Sequence, residues 1–181
     1  YIFTGLQNDC HCGGGWDVRM IKLDQNGNQV WANLMNDSGG DEHAWEFVKT
    51  SDNNFIMGGY RGNPASDGWI VKFDDQGNQL VDLVYGSDNT SESLGSVSST
   101  NDGNVIFTGF TESSGNGGKD VWLVKTDIDG NMIWEKTFGG ENDDNGKDIS
   151  ITDDGGYLIA GWTESFGNGG GDIWLIKTDS D

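Results

Sequence analysis

One octet is written four times along this chain. The copies are Asp17-Val18-Arg19-Met20-Ile21-Lys22-Leu23-Asp24, Asp67-Gly68-Trp69-Ile70-Val71-Lys72-Phe73-Asp74, Asp120-Val121-Trp122-Leu123-Val124-Lys125-Thr126-Asp127 and Asp172-Ile173-Trp174-Leu175-Ile176-Lys177-Thr178-Asp179. Their leading aspartates stand 50, 53 and 52 residues apart. A period of that length marks a tandem repeat, in which each unit buries its apolar surface only against its neighbours. The repeats run approximately 1–53, 54–103, 104–156 and 157–181, within a single domain.

Within each repeat, four apolar segments of strand length are separated by Gly/Asn/Asp clusters, the pattern of consecutive antiparallel strands. One segment ends in glycine, as in Val105-Ile106-Phe107-Thr108-Gly109, and the octet follows it. A third segment starts at Gln29, Gln79 or Met132; the fourth covers Ala44–Lys49, Leu94–Ser99 or Asp148–Thr152. Several segments are apolar on both faces, Trp122-Leu123-Val124 among them, so a sheet made of them must be covered on both sides. A four-stranded sheet cannot cover itself. Neighbouring sheets must therefore stack face to face, and around an axis such a stack is a β-propeller. The recurring Trp69, Trp122 and Trp174 are assigned to the layers between sheets, and the recurring Lys22, Lys72, Lys125 and Lys177 to pairing with acidic neighbours.

Short connections such as Asp24-Gln25-Asn26-Gly27-Asn28 carry the Asn-Gly or Asp-Gly that tight hairpins need. The other connections are long and belong to the opposite end of the strands. Binding functions are expected there, on loops held by a rigid scaffold.

Charge narrows the partners. Thirty acidic residues against ten basic ones give a formal charge of −20, a surface that repels phosphate backbones and anionic lipid. Nucleic acid and direct membrane insertion are excluded as expectations, and cations are attracted. The chain begins and ends within a repeat, so it reads as part of a longer polypeptide, with any targeting segment elsewhere.

Phe138-Gly139-Gly140, Asp148-Ile149-Ser150-Ile151, Gly155-Gly156-Tyr157-Leu158-Ile159-Ala160-Gly161-Trp162-Thr163-Glu164-Ser165 and Asp172-Ile173-Trp174-Leu175-Ile176-Lys177 together resemble the bacterial and archaeal surface β-propeller repeat, the SBBP type, with kelch repeats a neighbour at the level of fold. The second copy departs from the pattern with Tyr60-Arg61-Gly62, and the first with Arg19 in place of Trp. The resemblance implies an all-β propeller of four-stranded antiparallel blades, about three and a half of them covered as part of a larger ring. It places the Ala44–Lys49 type of strand innermost and the Gln29–Leu34 type outermost, with strand counts of three, four, four and three. It also implies a secreted or cell-surface protein, bacterial or archaeal, that contacts extracellular proteins or glycans and carries no family-wide catalytic residues.

Three sets of residues are candidate sites. The Gly-rich loops after Phe110 and Trp162 set aromatic rings beside Asn116, Phe166 and Asn168, a composition suited to glycans and also to loops with no ligand. Ca2+, the one cofactor suggested, takes six to eight oxygens. Glu141, Asp143 and Asp144 offer some in one long loop, and Asp127 and Asp129 offer others in a turn that reads equally well as a plain turn. Cys10 and Cys12 suit a disulfide, to each other or to cysteines elsewhere, better than a metal. No single polar cluster in the sequence breaks the symmetry of the repeats, which favours a non-catalytic adhesion, display or interaction module. A carbohydrate-active enzyme on the same fold and a structural subunit of a filament or surface layer are the alternatives.

Overall fold

The computed structural model describes residues 1–8, 15–35, 40–62, 65–87 and 89–181. Among them are fourteen strands and no helix: β1 Ile2–Asn8, β2 Trp16–Leu23, β3 Gln29–Met35, β4 Glu42–Lys49, β5 Phe55–Arg61, β6 Asp67–Phe73, β7 Gln79–Tyr85, β8 Glu92–Ser99, β9 Val105–Thr111, β10 Asp120–Thr126, β11 Met132–Phe138, β12 Asp144–Ile151, β13 Tyr157–Thr163 and β14 Asp172–Thr178. They form four antiparallel meanders, β1–β3, β4–β7, β8–β11 and β12–β14, so the counts are three, four, four and three. Each sheet after the first opens with the strand that closes a sequence repeat.

The short turns close as their residues require. Asp24, Asp74 and Asp127 each accept two backbone amides through Oδ1, at 2.8–2.9 Å. Gly27, Gly77 and Gly130 take the positive φ that follows, 83°, 77° and 83°. All these turns lie at one end of the strands, the long connections at the other.

Three apolar layers separate the four sheets, and each draws on two of them. Val18, Met20 and Met35 pack on Met57, Trp69 and Phe73. Ile56 and Ile70 pack on Leu94, Phe107 and Trp122. Ile106, Val121 and Leu123 pack on Ile149, Tyr157 and Ile159. Trp69 and Trp122 are buried, and each indole N–H donates to an acid on the neighbouring edge strand, Asp82 at 2.8 Å and Glu135 at 2.7 Å. Trp174 is half-buried against the third layer.

Two-sided covering appears directly in the octets. Every residue of β10 is buried, whereas β14, nearly the same in sequence, alternates. Val121 and Leu123 are 0% exposed, but their counterparts Ile173 and Leu175 are 88% and 63% exposed. The second and third sheets are sandwiched, and the outward face of the fourth is bare.

The repeated lysines tie the turns together. Lys72 Nζ lies 2.6 Å from Asp52 of its own sheet and 2.7 Å from Asp129 of the next. Lys22 reaches forward to Asp75 at 2.5 Å, while Lys125 and Lys177 pair with Asp102 and Asp154 of their own sheets at 2.8 and 2.9 Å.

Candidate binding cleft

The strands that open the second, third and fourth sheets, β4, β8 and β12, are edge strands lying against one another. Each carries a β-bulge at the same place. Ala44 pairs with Gly59 and Glu46 with Gly58, which leaves Trp45 outside the ladder; Gly95 and Lys147 are left out in the same way. A bulge re-aims the residue it frees. The glycines two residues before the ends of β5, β9 and β13 make it feasible, because a Cβ on Gly59, Gly109 or Gly161 would run into the carbonyl oxygen of His43, Ser93 or Asn145. Gly5, with no such strand in front of it, has open space at its Cβ.

The bulged residues meet at one cleft of about 400 Å3, lined by Trp45, Tyr60, Ser93, Phe110, Asn145 and Lys147 and floored by Gly95, Gly109 and Gly146. Trp45 is 50% exposed. Its ring lies 5.6 Å from Tyr60, which stacks on His43 at 4.7 Å and 14°. Burial pushes the His43 imidazole below its ordinary value, against the pull of Asp41. Opposite this aromatic wall, Lys147 reaches water, yet the cleft removes part of its hydration; that loss and the Lys119 charge lower its pKa. Just past the bulges, Ser96 Oγ lies 2.7 Å from Glu46 Oε2 and 3.3 Å from Asp148 Oδ1.

The residues expected to bind glycan are divided. Phe110 lines the cleft, with the Lys119 ammonium 4.5 Å above its ring. Trp162 occupies the position of Tyr60 and Phe110 in the next sheet, opposite Asn145. Phe166 packs on Trp174 at 5.2 Å. Asn116 and Asn168 shape the Gly-rich loops, their backbone amides donating to Asp120 and Asp172 at 2.9 and 3.1 Å.

The five acids proposed for Ca2+ do not form one constellation. Asp127 holds its own turn and Asp129 pairs with Lys72. Glu141, Asp143 and Asp144 stand at the other end of β11. Asp143 Oδ1 accepts the Lys119 amide, Asp144 Oδ2 accepts the Gly140 amide and the Ser165 hydroxyl, and Glu141 is exposed. Among the described residues no group of three or more His, Cys, Asp or Glu is placed to hold a metal ion. Cys10 and Cys12 lie outside the described residues.

Sequence reasoning missed Trp45, Asn145 and Lys147. The bulge shifts the alternation of β4, β8 and β12, so their polar first halves, Glu42–His43, Glu92–Ser93 and Asp144–Asn145, read as loop. The signal was in the register: Glu42-His43-Ala44-Trp45-Glu46, Glu92-Ser93-Leu94-Gly95-Ser96 and Asp144-Asn145-Gly146-Lys147-Asp148 align. Trp, Gly and Lys at one aligned place break the symmetry that the sequence reading judged intact.

In its fold class the chain is an all-β protein of stacked antiparallel meanders. Compared with known proteins, it matches no family model and no curated protein.

Proposed function

We propose that this chain is part of a β-propeller of the surface-repeat type, secreted or displayed on a cell, whose cleft binds glycans without catalysis. The propeller reading is supported by β4, β8 and β12 lying together at one edge of the stack while the more exposed β3, β7 and β11 lie at the other. The bare face of the fourth sheet suits a further blade. For binding, the carrying observation is the set of three equivalent bulges that bring Trp45, Gly95 and Lys147 to one cleft. A half-exposed indole is a platform for the apolar face of a sugar ring. Gly95 keeps the middle open, and Asn145, Ser93 and Lys147 offer donors and acceptors to hydroxyl groups.

The test is glycan-array screening followed by titration calorimetry on the best ligand. Trp45→Ala should weaken binding at least tenfold with an unchanged melting temperature, and Phe110→Ala should weaken it less. A glycan bound equally well by both variants would remove the cleft from the reading.

One observation favours an enzyme instead. Glu46 and Asp148, both exposed, meet across Ser96 beside the cleft, and glycoside hydrolysis uses a pair of carboxylates. Turnover of a bound glycan that is abolished by Glu46→Gln and by Asp148→Asn would establish it.

A further inference from the structure

The junctions between sheets hold a second repeated feature, independent of the cleft. The first residues of β4, β8 and β12, Glu42, Glu92 and Asp144, are acids with no solvent exposure. Glu92 and Asp144 each begin a strand beside the aspartate that begins the octet of the preceding sheet. The Glu92 amide donates to the Ser66 carbonyl at 2.7 Å and the Asp144 amide to the Lys119 carbonyl at 2.6 Å. These contacts set Glu92 beside Asp67 and Asp144 beside Asp120. Gly86 and Gly139 form the roof: a Cβ at either would collide with both carboxylates of its pair, Asp67 with Glu92 or Asp120 with Asp144.

At the third junction the carboxylates are half-satisfied in a consistent way. Asp120 Oδ2 accepts the Asn116 amide, and Asp144 Oδ2 accepts the Gly140 amide and the Ser165 hydroxyl. Their Oδ1 atoms are buried without a hydrogen-bond partner, and the residues are 1% and 0% exposed. At the second junction Glu92 Oε1 accepts the Thr111 hydroxyl and the Ser113 amide, whereas Oε2, facing the Gly86 roof, is buried without one. No lysine or arginine of the described residues pairs with Glu92, Asp120 or Asp144. Carboxylates placed together out of water, as Asp120 with Asp144 or Glu92 with the half-buried Asp67, call for a compensating charge or a shared proton.

The first junction carries a cation beside its acid. Arg61 stands opposite Glu42 in the β4–β5 ladder, where Thr111 stands opposite Glu92 and Thr163 opposite Asp144. The guanidinium Nε lies 3.5 Å from Glu42 Oε1, and the group continues to Asp82 at 3.0 Å. One repeat brings its own cation to the buried acid. The other two carry a short hydroxyl residue in place of that cation, under a glycine roof.

We propose that the Asp67–Glu92 and Asp120–Asp144 pockets each hold a hard divalent cation, of the calcium or magnesium type, that cross-links adjacent sheets where the first junction uses Arg61. Paired carboxylates match a double positive charge, and all-oxygen ligation is what such ions prefer. The chain's long connections converge on the same end of the strands, so the cations fasten the face that carries the cleft.

The experiment is calorimetric titration of the EDTA-stripped chain with CaCl2 and with MgCl2 in roughly 0.15 M NaCl, which screens diffuse attraction to the acidic surface. Two ions bound per chain and a melting temperature raised by several degrees are expected. Thr163→Arg, which places at the third junction the residue already accommodated at Arg61, should lower the stoichiometry from two to one; Thr111→Arg should remove the other site. Gly139→Ala, filling the third roof, should weaken one site at least tenfold. The wild-type titration depends on no variant's folding. Absence of saturable binding to the wild type, or binding left at two ions by both arginine variants, overturns the proposal.

Discussion

Leu123 and Leu175 hold the same position in two nearly identical strands, so they separate the effect of stacking from that of sequence. Leu123 lies in the layer between the third and fourth sheets with no exposure, whereas Leu175 is 63% exposed on the outward face. Replacing a fully buried leucine by alanine removes its transfer free energy and leaves a cavity, in total about 2–5 kcal/mol. Full burial of a leucine is worth about 1.5–3 kcal/mol. With roughly a third of that burial retained, Leu175→Ala should cost about 0.5–1 kcal/mol and open no cavity. Urea denaturation of both variants, followed by tryptophan fluorescence, measures the pair. Stacked repeats unfold through nearest-neighbour interfaces, so Leu123→Ala should also loosen the fourth sheet ahead of the second and third. Equal costs at the two positions would refute the reasoning, because they would mean that the outward face of β14 is as covered as that of β10.

Lys72→Met should cost about 1–3 kcal/mol in the same assay, since it removes an almost buried ammonium from between two aspartates; Lys177→Met, at an exposed pair, should stay within about 0.5 kcal/mol. The Lys125 ammonium and the Thr100 hydroxyl hold the Asp102 carboxyl below its ordinary range, and Lys72 and Thr50 do so for Asp52 against its partial burial. A lowered carboxylate pKa contributes stability that is complete above the unfolded value, near 3.8, and is lost as pH falls below it. The melting-temperature gap between wild type and Lys125→Met should therefore be widest at neutral pH and close between pH 4 and the acid limit; a gap that is constant in pH would disprove the pairing. Gly109→Ala should cost about 1–3 kcal/mol through its clash with the Ser93 carbonyl, and Gly5→Ala, with nothing near, should be neutral or stabilising by about 0.5 kcal/mol. Comparable losses at both glycines would count against the bulge as their cause.

Regular elements were legible in the chain because local chemistry repeats. The octets, the Asp-x-x-Gly-Asn turns and the doubly apolar strands each announce a strand count and a covering requirement, and the four meanders answer to them. The starts of β4, β8 and β12 were not legible. Their first residues are polar, their alternation is interrupted by the bulge, and burial of Glu42, Glu92 and Asp144 depends on a sheet some 25 residues away in sequence. The cleft was hidden for the same reason. Phe110 was found because it is an aromatic beside a glycine-rich loop; Trp45 and Lys147 became neighbours only through register across three sheets. The acidic loop at Glu141–Asp144 drew attention for its composition, yet Asn142 and Asp143 bond to neighbouring loops and Glu141 is exposed.

A bulged position owes nothing to the ladder and nothing to the layers between sheets. Trp45, Gly95 and Lys147 stand outside the ladder, and all three open onto the same space. Such an arrangement separates the positions that hold the sheets together from those that line the cleft, so the lining is free to change one residue at a time, sheet by sheet, while the framework stays constant.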